Sequence, residues 1–253
     1  MQLTNYYYYF KSVISPEDCQ KIIDIGNKQI LEEEEKGNSS TAWVHGGLEK
    51  ASMPDSPPAG DLTPYELSKL NLKDKSYVRD SYVSWLNDDW IHDLIYPKIL
   101  EANEKTGWRW DLDGSEAFQF TKYHEDGFYG WHEDGQSDWH GAYRRYIPGI
   151  SPNNRNSNGD LQRPYTTDDN LIGKVRKISM TLNLNIPGEY EGGDLKFDFG
   201  MHTDEKTRFH VCEEIRPQGS LIVFPSFLKH CITPVTRGTR YSLVLWTLGE
   251  PWK

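Results

Sequence analysis

The sequence predicts a mainly β protein with a helical N-terminal part, an α+β chain whose C-terminal half folds as a double-stranded β-helix, the jelly-roll or cupin-like barrel. Three observations carry this. From Ala117 onward the apolar residues change to a period of two, in eight short segments divided by turn residues. The 253 residues are 36% hydrophobic but 13% aromatic, with 9 Trp and 15 Tyr, so the core draws on aromatics more than on long aliphatic stripes. The 21 Gly and 14 Pro supply many short connections. A chain of this length fits one domain, with 1–116 as helical support and loops and 117–253 as the jelly-roll core.

The elements follow in order. Ser15 is a suitable N-cap, Pro16 takes the first helical position and Asp18 lies in the first turn, where the helix dipole favours an acid. Cys19, Ile22, Ile23, Gly26 and Ile30 then recur on one face, and Glu32 to Glu35 form the solvated end of that helix. Asn38 to Pro64, with Pro54, Pro57, Pro58 and Pro64, reads as surface loop, and Ser81 to Trp85 as a short strand. A second helix starts near Asn87, with Ile91, Leu94, Ile95, Lys98 and Ala102 as its inner stripe and a bend at Pro97. The eight strands are Ala117–Tyr123, Phe128–Glu133, Lys177–Asn185, Asp194–Phe199, Phe209–Glu214, Ser220–Phe224, His230–Val235 and Arg240–Leu248. Gln136 to Arg176, polar and Asn-rich at its centre, reads as a substrate lid, with plain disorder of its middle as the alternative.

Composition excludes several classes. A formal charge of −10 disfavours a nucleic-acid partner. Cys19, Cys212 and Cys231 are odd in number and widely spaced, so no disulfide framework or zinc knuckle follows, and a reducing cytoplasm is the expected location. Cys231 is expected to be a small packing residue on the opposite face to its neighbour His230. The N-terminus has no signal-peptide pattern, and no stretch approaches the roughly 20 apolar residues of a membrane span. No membrane partner is expected.

The chemistry sits in Trp131-His132-Glu133-Asp134-Gly135 and, almost a hundred residues later, Lys229-His230-Cys231, with Arg240 beyond. Two imidazoles and one carboxylate fill one face of an octahedron and leave the other open, which is what Fe(II) needs for a bidentate co-substrate and O₂. Arg240 is a cation suited to a carboxylate on that co-substrate, and Ser242 shares its face. His-Glu-Asp-Gly occurs twice. In the first copy, His124 to Gly127, Glu125-Asp126-Gly127 has the chemistry of a turn, with Gly free to take positive φ; the second follows an aromatic-rich segment where strand geometry is expected. His132 and Asp134 are therefore preferred to His124 and Asp126. His45, His92, His140, His202 and His210 have no comparable context and read as surface or packing residues. Trp131, Trp139 and Tyr143 stand where they could shape a substrate surface, with ordinary anchoring as the alternative.

From Ala117 to Trp252 the chain resembles the 2-oxoglutarate/Fe(II) dioxygenase superfamily in its prolyl-4-hydroxylase-like branch. Tyr123, Gly127, Tyr129, Trp131, His132 and Asp134 follow that branch's spacing. Tyr190-Glu191-Gly192-Gly193-Asp194-Leu195 and His230 to Arg240 most resemble the bacterial PKHD-type hydroxylases. The resemblance implies Fe(II) on His132, Asp134 and His230, and 2-oxoglutarate as co-substrate with its distal carboxylate on Arg240, helped by Ser242 and Tyr123. It further implies O₂ as a reactant, succinate and CO₂ as co-products, ascorbate as an accessory ligand and hydroxylation of a peptidyl prolyl residue. Arg240 stands where collagen-type enzymes carry Lys, so their substrate does not carry over, and Asn183 stands where Tyr is common, which implies a differently wired co-substrate pocket. Asp134 fills the position that related halogenases leave vacant for chloride. Two alternatives stay open: the same chemistry on a free amino acid or other small metabolite, and a non-catalytic cupin-like binding module, against which Arg240 and Ser242 argue.

Overall fold

The computed structural model describes residues 5–38, 40, 79–134, 174–200, 205–250 and 252. In chain order these form β1 (Tyr8–Phe10), α1 (Pro16–Glu35), β2 (Arg79–Asp80), β3 (Tyr82–Leu86), α2 (Asp89–Lys105), β4 (Gly114–Ser115), β5 (Phe118–Tyr123) and β6 (Phe128–His132). They continue with β7 (Val175–Asn183), β8 (Tyr190–Gly192), β9 (Leu195–Asp198), α3 (Glu205–Arg208), β10 (Phe209–Val211), β11 (Leu221–Pro225), β12 (Lys229–Ile232), β13 (Val235–Gly238) and β14 (Arg240–Gly249). The major sheet has the order β1-β11-β7-β14-β5-β3, with β4 also on β14; the minor sheet has β10-β9-β12-β6-β2; β13 and β8 form a separate pair. The fold is mostly β with few helices, and among the described residues the sheets are separate antiparallel ladders rather than one closed barrel.

Alternation along the strands explains how this architecture builds a cavity. One face of the major sheet carries Phe118, Phe120, Ile178, Met180, Leu182, Leu243 and Leu245, which form a buried core with Ile22 and Ile30 of α1 and Ile91, Ile95 and Ile99 of α2. Burying each such side chain contributes about 1.5–3 kcal/mol. The opposite face presents Thr121, Tyr123, Thr181, Phe224, Arg240, Ser242 and Trp246 to an open cavity, whose other wall is Tyr129, His132, Leu195, His230 and Ile232 of the minor sheet. Beside it a second core of Phe197, Ile222, Phe224 and Val235 closes the space between the sheets.

The helices begin as capping chemistry dictates. The Ser15 hydroxyl accepts from the Asp18 amide (3.0 Å), Pro16 opens α1, and its buried face is Cys19, Ile22, Ile23, Gly26 and Ile30, as predicted. A Cβ on Gly26 would lie 2.3 Å from the Phe120 ring, so α1 sits directly on β5. In α2 the buried face is Ile91, Ile95, Ile99, Ala102 and Asn103. Lys98 is thus not in the stripe: its ammonium lies 5.4 Å from the Phe10 ring centroid and pairs with Glu101, the stem covering apolar surface while the charge stays out. Pro97 lies inside a helix that continues through it.

The strand predictions need four corrections. The Phe209 strand ends at Val211, because Glu213–Ile215 turns into a 3-10 helix. The run from His230 to Val235 divides at Thr233-Pro234: Pro234 has no N–H for a ladder, its carbonyl accepts from Gly193 N (2.9 Å), and β13 resumes in a different sheet. The short strands β1, β2, β4 and β8 were not predicted. In the turn after β5, Asp126 rather than Gly127 takes positive φ (67°); Gly127 is required because a Cβ would stand 2.8 Å from the His124 carbonyl. The predicted loop from Asn38 to Pro64 lies outside the described residues except for Asn38 and Ser40. So does the predicted lid from Gln136 to Arg176 except for its last three residues, where Val175 and Arg176 already belong to β7. Among the described residues no helix is long and apolar enough to cross a membrane.

Candidate metal centre and co-substrate cavity

Neighbouring strands bring the two distant motifs together. β6 and β12 pair antiparallel with His132 directly opposite His230, and their rings lie 4.2 Å apart between centroids. Asp134 follows the end of β6 and turns its carboxylate toward both rings, with Oδ1 3.5 Å from His132 Nε2 and Oδ2 3.6 Å from His230 Nε2. These three residues offer ligand atoms that all lie within 4.8 Å of one another. His132 Nδ1 is 2.8 Å from the Gly130 carbonyl and His230 Nδ1 is 2.9 Å from the Leu228 carbonyl. A carbonyl only accepts, so each Nδ1 carries the proton and each Nε2 lone pair faces the cluster.

The third group is held from the other sheet. Ser179 donates to Asp134 Oδ2 (2.7 Å) and also meets the Ser226 hydroxyl (3.0 Å). Burial pushes the Asp134 carboxyl up, but His230, His132 and Arg176 together outweigh it and hold it well below the usual carboxylate range. Burial, with His132 adding to it and Asp134 opposing, lowers His230 to about 4, so its imidazole is neutral at physiological pH. An anionic carboxylate with a neutral imidazole is the donor chemistry a divalent metal needs.

His124 is not part of this cluster. It sits half-exposed at the β5–β6 turn, 3.8 Å from Asp80 and edge-on to Tyr82. His92 stacks on Tyr96, and His210 meets the Tyr7 hydroxyl; His45, His140 and His202 lie outside the described residues. Trp131 packs against Phe209 rather than lining the cavity, and Trp139 and Tyr143 also lie outside the described residues. Cys231 is fully buried, as a packing residue would be.

Arg240 opens β14 opposite Tyr123 and is 1% exposed, the largest fully buried side chain described. Its Nη1 donates to Ser242 Oγ (3.1 Å), and the guanidinium carbon lies 5.3 Å from the Tyr123 ring centroid. Its Nε and Nη2 are buried without a hydrogen-bond partner among the described residues. A buried charged donor left unpaired costs several kcal/mol. The deficit matches a carboxylate, which accepts two parallel N–H groups. Asn183 does not line this cavity. Its amide donates to the carbonyls of Asn185 and Arg216, so the substitution relative to Tyr is absorbed by backbone contacts.

Several site residues were not foreseen from the sequence. Tyr129, read from the sequence only as a motif residue, stacks on His132 (3.6 Å between centroids), and the unforeseen Arg79 guanidinium lies 4.5 Å from the Tyr129 ring centroid. Arg79 also donates to Gln119 Oε1 (2.8 Å), bridging the minor sheet to the major one. Arg176 makes a two-bond pair with Glu116 (2.5 and 2.7 Å) and covers the Trp246 ring at 3.9 Å. The polar positions of β7 were visible in the alternation Ser179, Thr181, Asn183 against Ile178, Met180, Leu182. Nothing local marked Arg79 or Glu116.

The family described as the 2OG-Fe(II) oxygenase superfamily matches residues 118–248, just over half of the chain. The chain belongs to the 2OG-Fe(II) oxygenase superfamily. The superfamily's name pairs Fe(II) with 2-oxoglutarate, and the His132–Asp134–His230 cluster is a donor set that suits such an ion. The PKHD-type hydroxylase YbiX of Escherichia coli (strain K12 / DH10B) is 38% identical over 71 residues, 27% of each chain, and that of Escherichia fergusonii matches to the same extent. The match thus spans about a quarter of the length of these relatives. Among solved structures, the viral collagen prolyl hydroxylase of Paramecium Bursaria Chlorella virus-1 gives a TM-score of 0.53 at 16% identity, covering 97% of both chains. A Pseudomonas putida prolyl-4-hydroxylase gives 0.53 at 16% identity, covering 98% of this chain and 95% of its own. At such identities these two likenesses speak for the fold of this oxygenase.

Proposed function

We propose that this oxygenase hydroxylates a C–H bond with Fe(II), O₂ and 2-oxoglutarate, releasing succinate and CO₂, and that its substrate is a peptidyl prolyl residue. The carrying observation is Arg240, a buried guanidinium with two unpaired nitrogens, in one cavity with the His132–Asp134–His230 cluster. In this reading the cluster holds the iron, and Arg240, with Ser242 and Tyr123, holds the distal carboxylate of 2-oxoglutarate. When bound, the iron supplies O₂ activation coupled to oxidation of the 2-oxo acid. The chain's own contribution is placement. The Gly130 and Leu228 carbonyls fix the imidazole tautomers, Ser179 orients Asp134, and Arg240 fixes the co-substrate at its far end. The two sheets are the walls of a double-stranded β-helix within a single cytoplasmic domain, with 117–253 as its core.

The peptidyl prolyl substrate is supported by the resemblance of the motifs around His132 and His230 to the prolyl-4-hydroxylase-like branch. Anaerobic titration with Fe(II) and 2-oxoglutarate should give a visible metal-to-ligand charge-transfer band, followed in air by succinate release with proline-containing peptides. Release with free amino acids but not with peptides would replace the substrate. No band at all would favour a non-catalytic binding module.

A further inference from the structure

We propose that Asn185 is a positioning residue that sets where Arg240 stands, and thereby the length of 2-oxo diacid the cavity accepts; this rests on Arg240 as the carboxylate anchor. The need for such a device follows from the strand pattern. Arg240 is the first residue of β14, separated by Thr239 alone from the end of β13, where Gly238 takes φ 79°. On the β5 side Arg240 has a partner, Tyr123. On the β7 side the paired residues start at Ser242, opposite Asn183, where β7 ends. The last main-chain bond there runs from the Leu184 amide to the Tyr241 carbonyl (3.2 Å), one residue short of Arg240. First residues of strands fray, and here one of them carries a buried charge.

The Asn185 side chain extends the ladder. Its Nδ2 donates to the Thr239 carbonyl (3.0 Å) and its Oδ1 accepts from the Tyr241 amide (2.6 Å), so one carboxamide takes the two peptide groups that flank Arg240. Exchanging its oxygen and nitrogen would set donor against donor and acceptor against acceptor, so the chemistry fixes this orientation. The second Nδ2 proton goes to Glu189 Oε2 (3.0 Å), which also accepts from the Ile186 amide (3.0 Å). Asn185 is 1% exposed and satisfied on every side. From the opposite side, a Cβ on Gly193 would stand 2.9 Å from Arg240 Cδ, so the arginine stem lies against bare backbone. Asn185 thus pins the main chain of Arg240 and Gly193 confines its stem. The two unpaired nitrogens are held at a set depth relative to the metal cluster.

The test compares wild type with Asn185→Ala and Glu189→Ala. The second variant keeps the buried amide and removes only its exposed brace. Anaerobic charge-transfer titrations of the Fe(II) protein would give affinities for 2-oxoglutarate and for 2-oxoadipate, one methylene longer, beside Fe(II) affinity and Tm. In Asn185→Ala, 2-oxoglutarate should bind about 10–100-fold more weakly, the scale of losing support behind a ligand-holding group. Its preference over 2-oxoadipate should narrow and Fe(II) affinity should hold. Glu189→Ala should shift the preference the same way by less. A lowered Tm with the diacid preference intact would reduce Asn185 to a structural amide and overturn the proposal. If Asn185→Ala does not fold, an unchanged preference in Glu189→Ala overturns it. Wild type that binds neither diacid would overturn the Arg240 reading itself.

Discussion

At the scale of single residues, the site divides into groups that hold and groups that aim. His132, Asp134 and His230 face one another, whereas His124 is turned away at a hairpin. His132→Ala and Asp134→Ala should therefore abolish Fe(II) binding while His124→Ala retains it, as iron quantitation on purified variants would show; full iron in His132→Ala would overturn the assignment. Ser179→Ala keeps all three ligands but removes the 2.7 Å bond to Asp134, and should weaken Fe(II) binding by about 10–100-fold. Arg240→Ala should weaken 2-oxoglutarate by roughly 2–5 kcal/mol, the range for truncating one partner of a desolvated charge pair, with iron affinity unchanged. Calorimetry on iron-loaded protein without O₂ measures it. Arg237 is no substitute anchor, being exposed and paired with Glu191 at 2.8 Å. The ligands and Arg240 were legible because their identities and spacing carry the chemistry. Arg79, Glu116 and Arg176 were not, because their meaning lies in partners distant along the chain.

Among the elements, legibility followed the strength of local signals. α1 was readable from Ser15, Pro16 and its apolar stripe, and β14 from the long apolar run that follows Arg240. β1 and β2, three and two residues long, have no period to read and exist only because β11 and β6 offer free edges. The exchange of Lys98 for Ile99 in α2 reflects the same limit, since a lysine stem and an isoleucine satisfy one helical spacing equally. Gly26 tests how tightly α1 is seated on β5. Alanine would gain about 1 kcal/mol of helix propensity. Its methyl, however, would fall 2.3 Å from the Phe120 ring, which is fully buried and stacked on Tyr241, and overpacking of this kind costs about 1–3 kcal/mol. Gly26→Ala should therefore lower Tm. A raised Tm would show that α1 can lift from the sheet at little cost.

For the molecule as a whole, the energetic weak point is the cavity between the sheets. The helix-side core is apolar and closed, but the inter-sheet space holds a carboxylate, two imidazoles and the Arg240 guanidinium at under a tenth exposure for three of the four groups. Ligands that pair these charges bind the folded chain and not the unfolded one, so they must stabilise it. At a hundred times its Kd a ligand adds about 2.7 kcal/mol, and for a chain of this size each kcal/mol moves Tm by roughly 2–4 °C. An inert divalent ion such as Mn(II) should thus raise Tm by about 5–10 °C. Addition of 2-oxoglutarate should raise it again in wild type but not in Arg240→Ala, whose response to the metal alone stays intact. Differential scanning fluorimetry without O₂ resolves the two steps. An equal 2-oxoglutarate shift in both proteins would mean that the diacid is held by the metal cluster alone, and that the buried guanidinium answers some other anion.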